Sequence, residues 1–328
     1  MDGSEPDPPN LSADEDRISF FQSVTEALTA CRNFAEVEEI ARGSKEAVEG
    51  FRMPSPCVSK PVSSRLDCYA ASLLQPEVQD RVFAICVAGD GNCFFRSLSL
   101  LLFGTQNHHQ ELRCRIVMAM AINTALFLDG TNWCSSHDQV TPESVIEVAL
   151  MTSVLPTASS PKLALEAEVM SVLQESTYTG LWEFFAASHV LKCPAQSVFP
   201  ALGWEIYREH CNRIVRAPGC LTEQKVFVMW SSSCTDAVTE HWVPNHFVPL
   251  MLREQCFGAP KRGSFHLISW NGRDYAGQVQ DIDELLELAC VSFLSSRPVF
   301  MASMCRLLLG AVHCISARST FALCRRRF

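Results

Sequence analysis

A chain of 328 residues that is 48% apolar and only 19% charged can bury a large core, enough for one big domain or two modest ones, and is excluded from the wholly disordered class. Its net charge of −9, from 27 basic and 36 acidic side chains, offers no basic stripe, so nucleic acid is not expected as a partner. The 16 cysteines follow an acidic opening without a basic-then-apolar leader, so the expected setting is cytoplasmic or nuclear, with reduced thiols. No two cysteines stand at knuckle spacing, and Cys211 and Cys220 with His210 form only a loose cluster, so no metal is expected. The apolar run Val299 to Ile315 is broken by Arg306 and His313 and is too short for a membrane helix.

In chain order, residues 1–17 are acidic and proline-containing and read as a disordered tail. Residues 18–52 carry helical periodicity. Phe21, Val24, Leu28 and Cys31 share one stripe, and Val37, Ile40, Ala41 and Val48 another, with a break at Arg32-Asn33. Residues 53–64 hold three prolines and four serines and read as a linker. A larger domain is expected over 65–253. Residues 254–328 form an extension with a turn signal at Asn271-Gly272 and a helix from Asp281 to Leu294, in which Glu284 can complete a capping box.

Within the larger domain, Val82 to Val87 reads as a short strand. Gly89-Asp90-Gly91-Asn92-Cys93 follows, then an apolar helix Phe94 to Phe103 ending at Gly104. This places Cys93 at a helix start, where the dipole favours a thiolate and lowers the pKa. Amides of the glycine turn can converge on an oxyanion. An ordinary Asx-Gly turn carrying a buried cysteine is the plainer alternative. A second helix is expected from Gln110 to Leu128, with His108 and His109 on the surface at its start. His137 lies in a polar loop and His189 within a helix. Lys225 to Trp230 reads as a strand and His246 to Met251 as its returning partner. His246 therefore projects from the beginning of a strand, a rigid place for a general base.

These residues resemble the ovarian-tumour (OTU) family of cysteine proteases. The nucleophile motif is Gly89 to Ser99 with Leu102 and Gly104. His109, Leu112 and Arg113 fit the next landmark. Trp182 to Leu191 with Gln196 to Phe199 is similar to the tryptophan helix and its strand, and His246-Phe247 matches the last landmark. The resemblance covers roughly Ile85 to Met251. It implies an α/β (α+β) papain-like fold, a small central sheet flanked by helices. It also implies hydrolysis of isopeptide bonds between ubiquitin and lysine, with ubiquitin or ubiquitinated proteins as partners and no cofactor. Carried over, Cys93 is the nucleophile, His246 the general base and Asp90 the loop acid commonly counted with the site.

One departure stands out. Many relatives carry Asn or Asp two residues after the histidine, on the same side of the strand, where it orients the imidazole. Here that residue is Val248; Asn245 is adjacent but points the other way in an extended backbone, and Asp90, Asp236 and Glu240 are the candidate substitutes. Leu181 to Ala187, Cys211 to Arg216 and Phe227 to Trp230 are also similar to vertnin, an OTU-related protein linked to transcription that lacks the cysteine motif. That likeness implies a divergent branch. Two functions stay open: a cysteine-dependent deubiquitinase, or a weak or inactive OTU-fold module that binds ubiquitin or a transcription-related partner.

Overall fold

The computed structural model describes residues 11–54, 65–79, 81–134, 140–220, 222–233 and 242–252. The linker over 55–64, His137, Asp236, Glu240, the turn at Asn271-Gly272, the helix from Asp281 and the run Val299 to Ile315 lie outside the described residues. The helices are α1 (Leu11–Thr29), α2 (Phe34–Gly50), α3 (Cys68–Leu73), α4 (Pro76–Gln79), α5 (Cys93–Phe103), α6 (His109–Ile122), α7 (Thr124–Leu128), α8 (Pro142–Met151), α9 (Pro161–Val172), α10 (Leu181–Leu191) and α11 (Glu205–Cys211). The strands are β1 (Val82–Ala84), β2 (Ala195–Val198), β3 (Arg213–Val215), β4 (Val226–Ser231) and β5 (His246–Leu252). No described helix is long and apolar enough to cross a membrane.

The sheet has the order β1-β5-β4-β2-β3, antiparallel except for the parallel pair β2 and β4. Strands β4 and β5 are nearly continuous apolar runs because both of their faces are covered. Val226, Val228, Trp230, Phe247 and Met251 face the main core under α5, α6 and α10; Met229, Val248 and Leu250 face a smaller cluster with Ala70 of α3 and Leu74 just past its end. Pro249 sits within β5 without an N–H to give, and it contributes its carbonyl to Ile85 N at 3.1 Å, just past the end of β1.

Helix α5 ends where the sequence predicts, at Gly104, whose φ of 72° is the left-handed cap conformation. The helix expected over Gln110 to Leu128 is instead two helices meeting at Asn123, whose side chain and N–H both bond back to Ala119 O. Side-chain competition of this kind with the backbone ends helices.

Two expectations at the N-terminus change. Helix α1 starts at Leu11 rather than Ile18, because the acidic residues read as tail sit at a helix N-terminus, where the dipole favours them. The α1–α2 pair is also no separate segment. Phe21, Val24, Leu28, Val37, Ala41 and Val48 join the core cluster that contains α5 and α6. The dock holds a buried polar cluster. Glu111 of α6 takes Arg17 at 2.6 and 2.7 Å and Arg115 at 2.8 Å, and Arg115 also reaches Phe51 O at 2.6 Å.

The turn between α1 and α2 is closed by a reciprocal cap. Asn33 Oδ1 accepts Glu36 N at 3.1 Å, and Glu36 Oε2 accepts Arg32 N at 2.7 Å. Asn33→Ala should cost about 1 kcal/mol. Urea unfolding checks this, and an unchanged midpoint would show that the cap contributes nothing.

Candidate active site

The loop from Ala88 to Asn92 is shaped by its glycines. Gly91 has a φ of +78°, and a Cβ there would lie 2.2 Å from Ser176 backbone atoms, so no larger residue fits. A Cβ on Gly89 would lie 3.7 Å from Nδ1 and Cε1 of His246, which places the loop against the imidazole.

Charged side chains hold this loop from two directions. Asp90 accepts Asn92 N at 3.0 Å and takes the Arg96 guanidinium through Nε at 3.1 Å and Nη2 at 2.6 Å. The Arg96 hydrogen bonds keep the Asp90 carboxyl far below the usual carboxylate range, so it remains ionised. Asp90 is thus bonded to Arg96 and the turn, and to neither Cys93 nor His246. Arg113, buried on α6, donates to Asn92 Oδ1 at 2.7 Å, Gly91 O at 3.2 Å, Gln174 O at 2.8 Å and Val172 O. Its guanidinium also lies 4.4 Å from the centroid of Phe95. Asn92 precedes α5 without a side-chain cap bond, because its Oδ1 is taken by Arg113.

Cys93 begins α5, is only 2% exposed, and its Sγ accepts Phe247 N at 3.3 Å. The helix start and the turn were expected to lower its pKa. The opposite holds: burial pushes the thiol up to about 11, against the smaller downward pull of the Phe247, Phe94 and Cys93 amides. Desolvation of a thiolate outweighs one helix terminus when the sulfur lies under β5. Phe247 belongs to an aromatic floor with Trp230 at 4.7 Å, Tyr178 at 5.1 Å and Phe94 at 5.3 Å between ring centroids.

His246 is 6% exposed at the first position of β5. Burial lowers its pKa, with Asp67 and Asp90 pulling weakly the other way. Both shifts favour the neutral form at rest, for thiol and imidazole alike. No hydrogen bond joins the ring to Sγ among the described residues; the link is the Phe247 amide, one residue on. Val248 is fully buried in the cluster under α3, and Asn245 Oδ1 accepts Ser233 N at 2.8 Å, so neither orients the ring. His109 bonds Gln106 O at 2.9 Å. His108, expected on the surface, is buried and stacked on Phe103 at 4.0 Å, because α1 and α2 cover that end of α6.

Sequence reasoning missed the reach of Arg113 into the loop, the backing of Gly91 by Ser176 and the contribution of Tyr178. Only the Arg113 motif carried a signal in advance. The thiol shift makes a prediction. Alkylation of Cys93 by a small neutral reagent, followed by peptide mass spectrometry, should rise about tenfold per pH unit past pH 9, the unperturbed thiol value. A rate that levels off below pH 9 would contradict the burial effect.

The model for the vertnin OTU domain matches residues 84–231. Vertnin of Ailuropoda melanoleuca is 26% identical over 194 residues, 57% of this chain and 27% of the relative. Vertnin of Homo sapiens is 25% identical over 225 residues, 66% of this chain and 31% of the relative. The chain therefore spans less than a third of the length of these relatives. Among solved structures, the viral OTU domain protease from Dera Ghazi Khan virus overlays with a TM-score of 0.31 at 16% identity, covering 53% of this chain and 83% of that one. With the motif at Gly89 to Cys93 and the β4–β5 pair ending at His246, the family match over residues 84–231 shows that the chain carries a divergent, vertnin-like OTU domain.

Proposed function

We propose that this domain is a cysteine-dependent deubiquitinase that cleaves isopeptide bonds at the C-terminus of ubiquitin. The observation that carries the reading is the setting of Cys93: a sulfur at a helix start, with the amides of Cys93, Phe94 and Phe247 directed at it and His246 beginning the adjoining strand. In the reaction His246 takes the thiol proton as sulfur attacks the carbonyl carbon, and the loop amides receive the developing oxyanion. His246 then gives that proton to the leaving lysine amine. Water, deprotonated by the same imidazole, attacks the thioester, and the ubiquitin carboxylate and free Cys93 result. Asp90 braces the loop through Arg96. Because thiol and imidazole both rest neutral, the proton moves within the attack step rather than before it, and turnover is slow.

A fluorogenic amide at the ubiquitin C-terminus tests this. Slow hydrolysis is expected, falling at least about 1,000-fold in Cys93→Ser and in His246→Ala. Hydrolysis unaffected by either change would contradict the assignment.

A second reading has its own support. The pKa of Cys93 lies at about 11, no bond joins it to His246, and Val248 fills the usual orienting position. A catalytically silent module binding ubiquitin or a transcription-related partner is consistent with these facts. Under that reading, wild type and Cys93→Ala bind ubiquitin equally and neither hydrolyses the amide.

A further inference from the structure

One buried hydroxyl beside the candidate base has no use in the fold. Ser231 ends β4 and is fully buried, and its Oγ has no hydrogen-bond partner. The strand register sets Ser231 directly opposite His246. Opposed residues on antiparallel strands send their side chains to the same face, with Cβ atoms about 4.5–5.5 Å apart. The neighbouring pairs agree on the face. Trp230 and Phe247 lie in the cluster that contains Cys93, while Met229 and Val248 lie in the other, and Ser231 and His246 follow the second pair.

On the other flank of β5 the ring meets the nucleophile loop, through Nδ1 and Cε1 beside Gly89. Among the described residues, the two carboxylates whose charge reaches the ring are both held elsewhere. Asp67 Oδ1 accepts Ala70 N at 2.8 Å, and Asp90 is bound to Arg96 and Asn92 N. Ser231 is thus the polar side chain that lies across from the imidazole and is not otherwise bonded.

We propose that Ser231 is the positioning residue of His246, its hydroxyl accepting the N–H of the ring nitrogen turned away from Gly89. This rests on the reading of His246 as the base. A serine Oγ can take another staggered χ1 position without backbone movement. The bond selects the tautomer that leaves the other nitrogen free to take the Cys93 proton. It substitutes for the side chain that Val248 cannot supply. A neutral hydroxyl orients an imidazole but stabilises imidazolium less than a carboxylate does, consistent with a slow enzyme.

The test uses the full chain labelled with 15N-histidine, with His246→Gln to assign the signals. In wild type, the nitrogen shifts of His246 should show one dominant tautomer. In Ser231→Ala they should show a mixture, with kcat for the ubiquitin amide about 10- to 100-fold lower and KM unchanged. Ser231→Thr keeps the hydroxyl and should restore both. Unchanged tautomer and kcat in Ser231→Ala, or a folded Ser231→Thr that behaves like Ser231→Ala, would overturn the proposal; if the threonine variant does not fold, the alanine comparison decides. The tautomer readout needs no turnover. A wild type that hydrolyses nothing therefore defeats the deubiquitinase reading, while the nitrogen shifts still decide the role of Ser231.

Discussion

Arg113→Met should destabilise the folded chain by about 3–5 kcal/mol and, in the molecules that remain folded, slow attack by Cys93 by about 100-fold or more. The guanidinium joins three segments: the nucleophile loop at Gly91 and Asn92, the end of α9 at Val172, and Gln174 beyond it. Burial lowers its pKa to about 10, so it stays charged at neutral pH, with Glu175, Glu183 and Asp90 as the acids acting on it. Methionine fills the volume but leaves those acceptors without a donor. Lysine offers one point charge in place of a fork and should restore less than half of the loss. Denaturant unfolding and the rate of adduct formation with a ubiquitin electrophile measure the two effects separately. A midpoint shift worth less than about 1 kcal/mol would show that the loop does not depend on Arg113.

Glu168→Gln should gain stability over wild type as pH rises from about 4.5 to about 9. Glu168 of α9 and Glu183 of α10 are both buried, near enough for each charge to act on the other, and each accepts a loop amide, Val154 N at 2.8 Å and Gly180 N at 2.7 Å. Burial pushes Glu168 up to about 9 from 4.5, with the neighbouring Glu183 adding to the rise. The folded state therefore holds a proton that the unfolded chain releases near pH 4.5. The stabilisation is fully present below that value and is lost as pH climbs through 9, at most about 1.4 kcal/mol per pH unit. Glutamine keeps a donor toward Glu183 and an acceptor for Val154 N without a titrating proton. The variant should match wild type near pH 5 and exceed it near pH 8.5 by thermal unfolding. Parallel pH curves for the two proteins would exclude a protonated Glu168.

Much of the site was legible because its cues are local. Glycines at 89 and 91, the apolar run after Cys93 and the glycine at 104 mark a turn and helix on their own. The two apolar runs ending at Trp230 and beginning at His246 read as paired strands, and they pair. What escaped depends on tertiary proximity. The thiol shift at Cys93 comes from β5 passing over the sulfur, which no window around residue 93 contains. Ser231 falls just past the strand expected over Lys225 to Trp230, until the register sets it opposite His246. The start of α1 at Leu11 was hidden because acidic residues suit both a solvated tail and the first turns of a helix, and the packing of Phe21 and Arg17 on α6 decides between them.

The proposed function makes Cys93 the nucleophile of a ubiquitin-directed hydrolase. It is tested most directly by incubating the chain with ubiquitin bearing a C-terminal thiol-reactive group and weighing the product intact. One covalent ubiquitin is expected, mapped to Cys93, forming slowly, absent in Cys93→Ala and persisting in Cys68→Ala and Cys86→Ala. No adduct under conditions where a viral OTU protease reacts, or an adduct that survives Cys93→Ala, would contradict it.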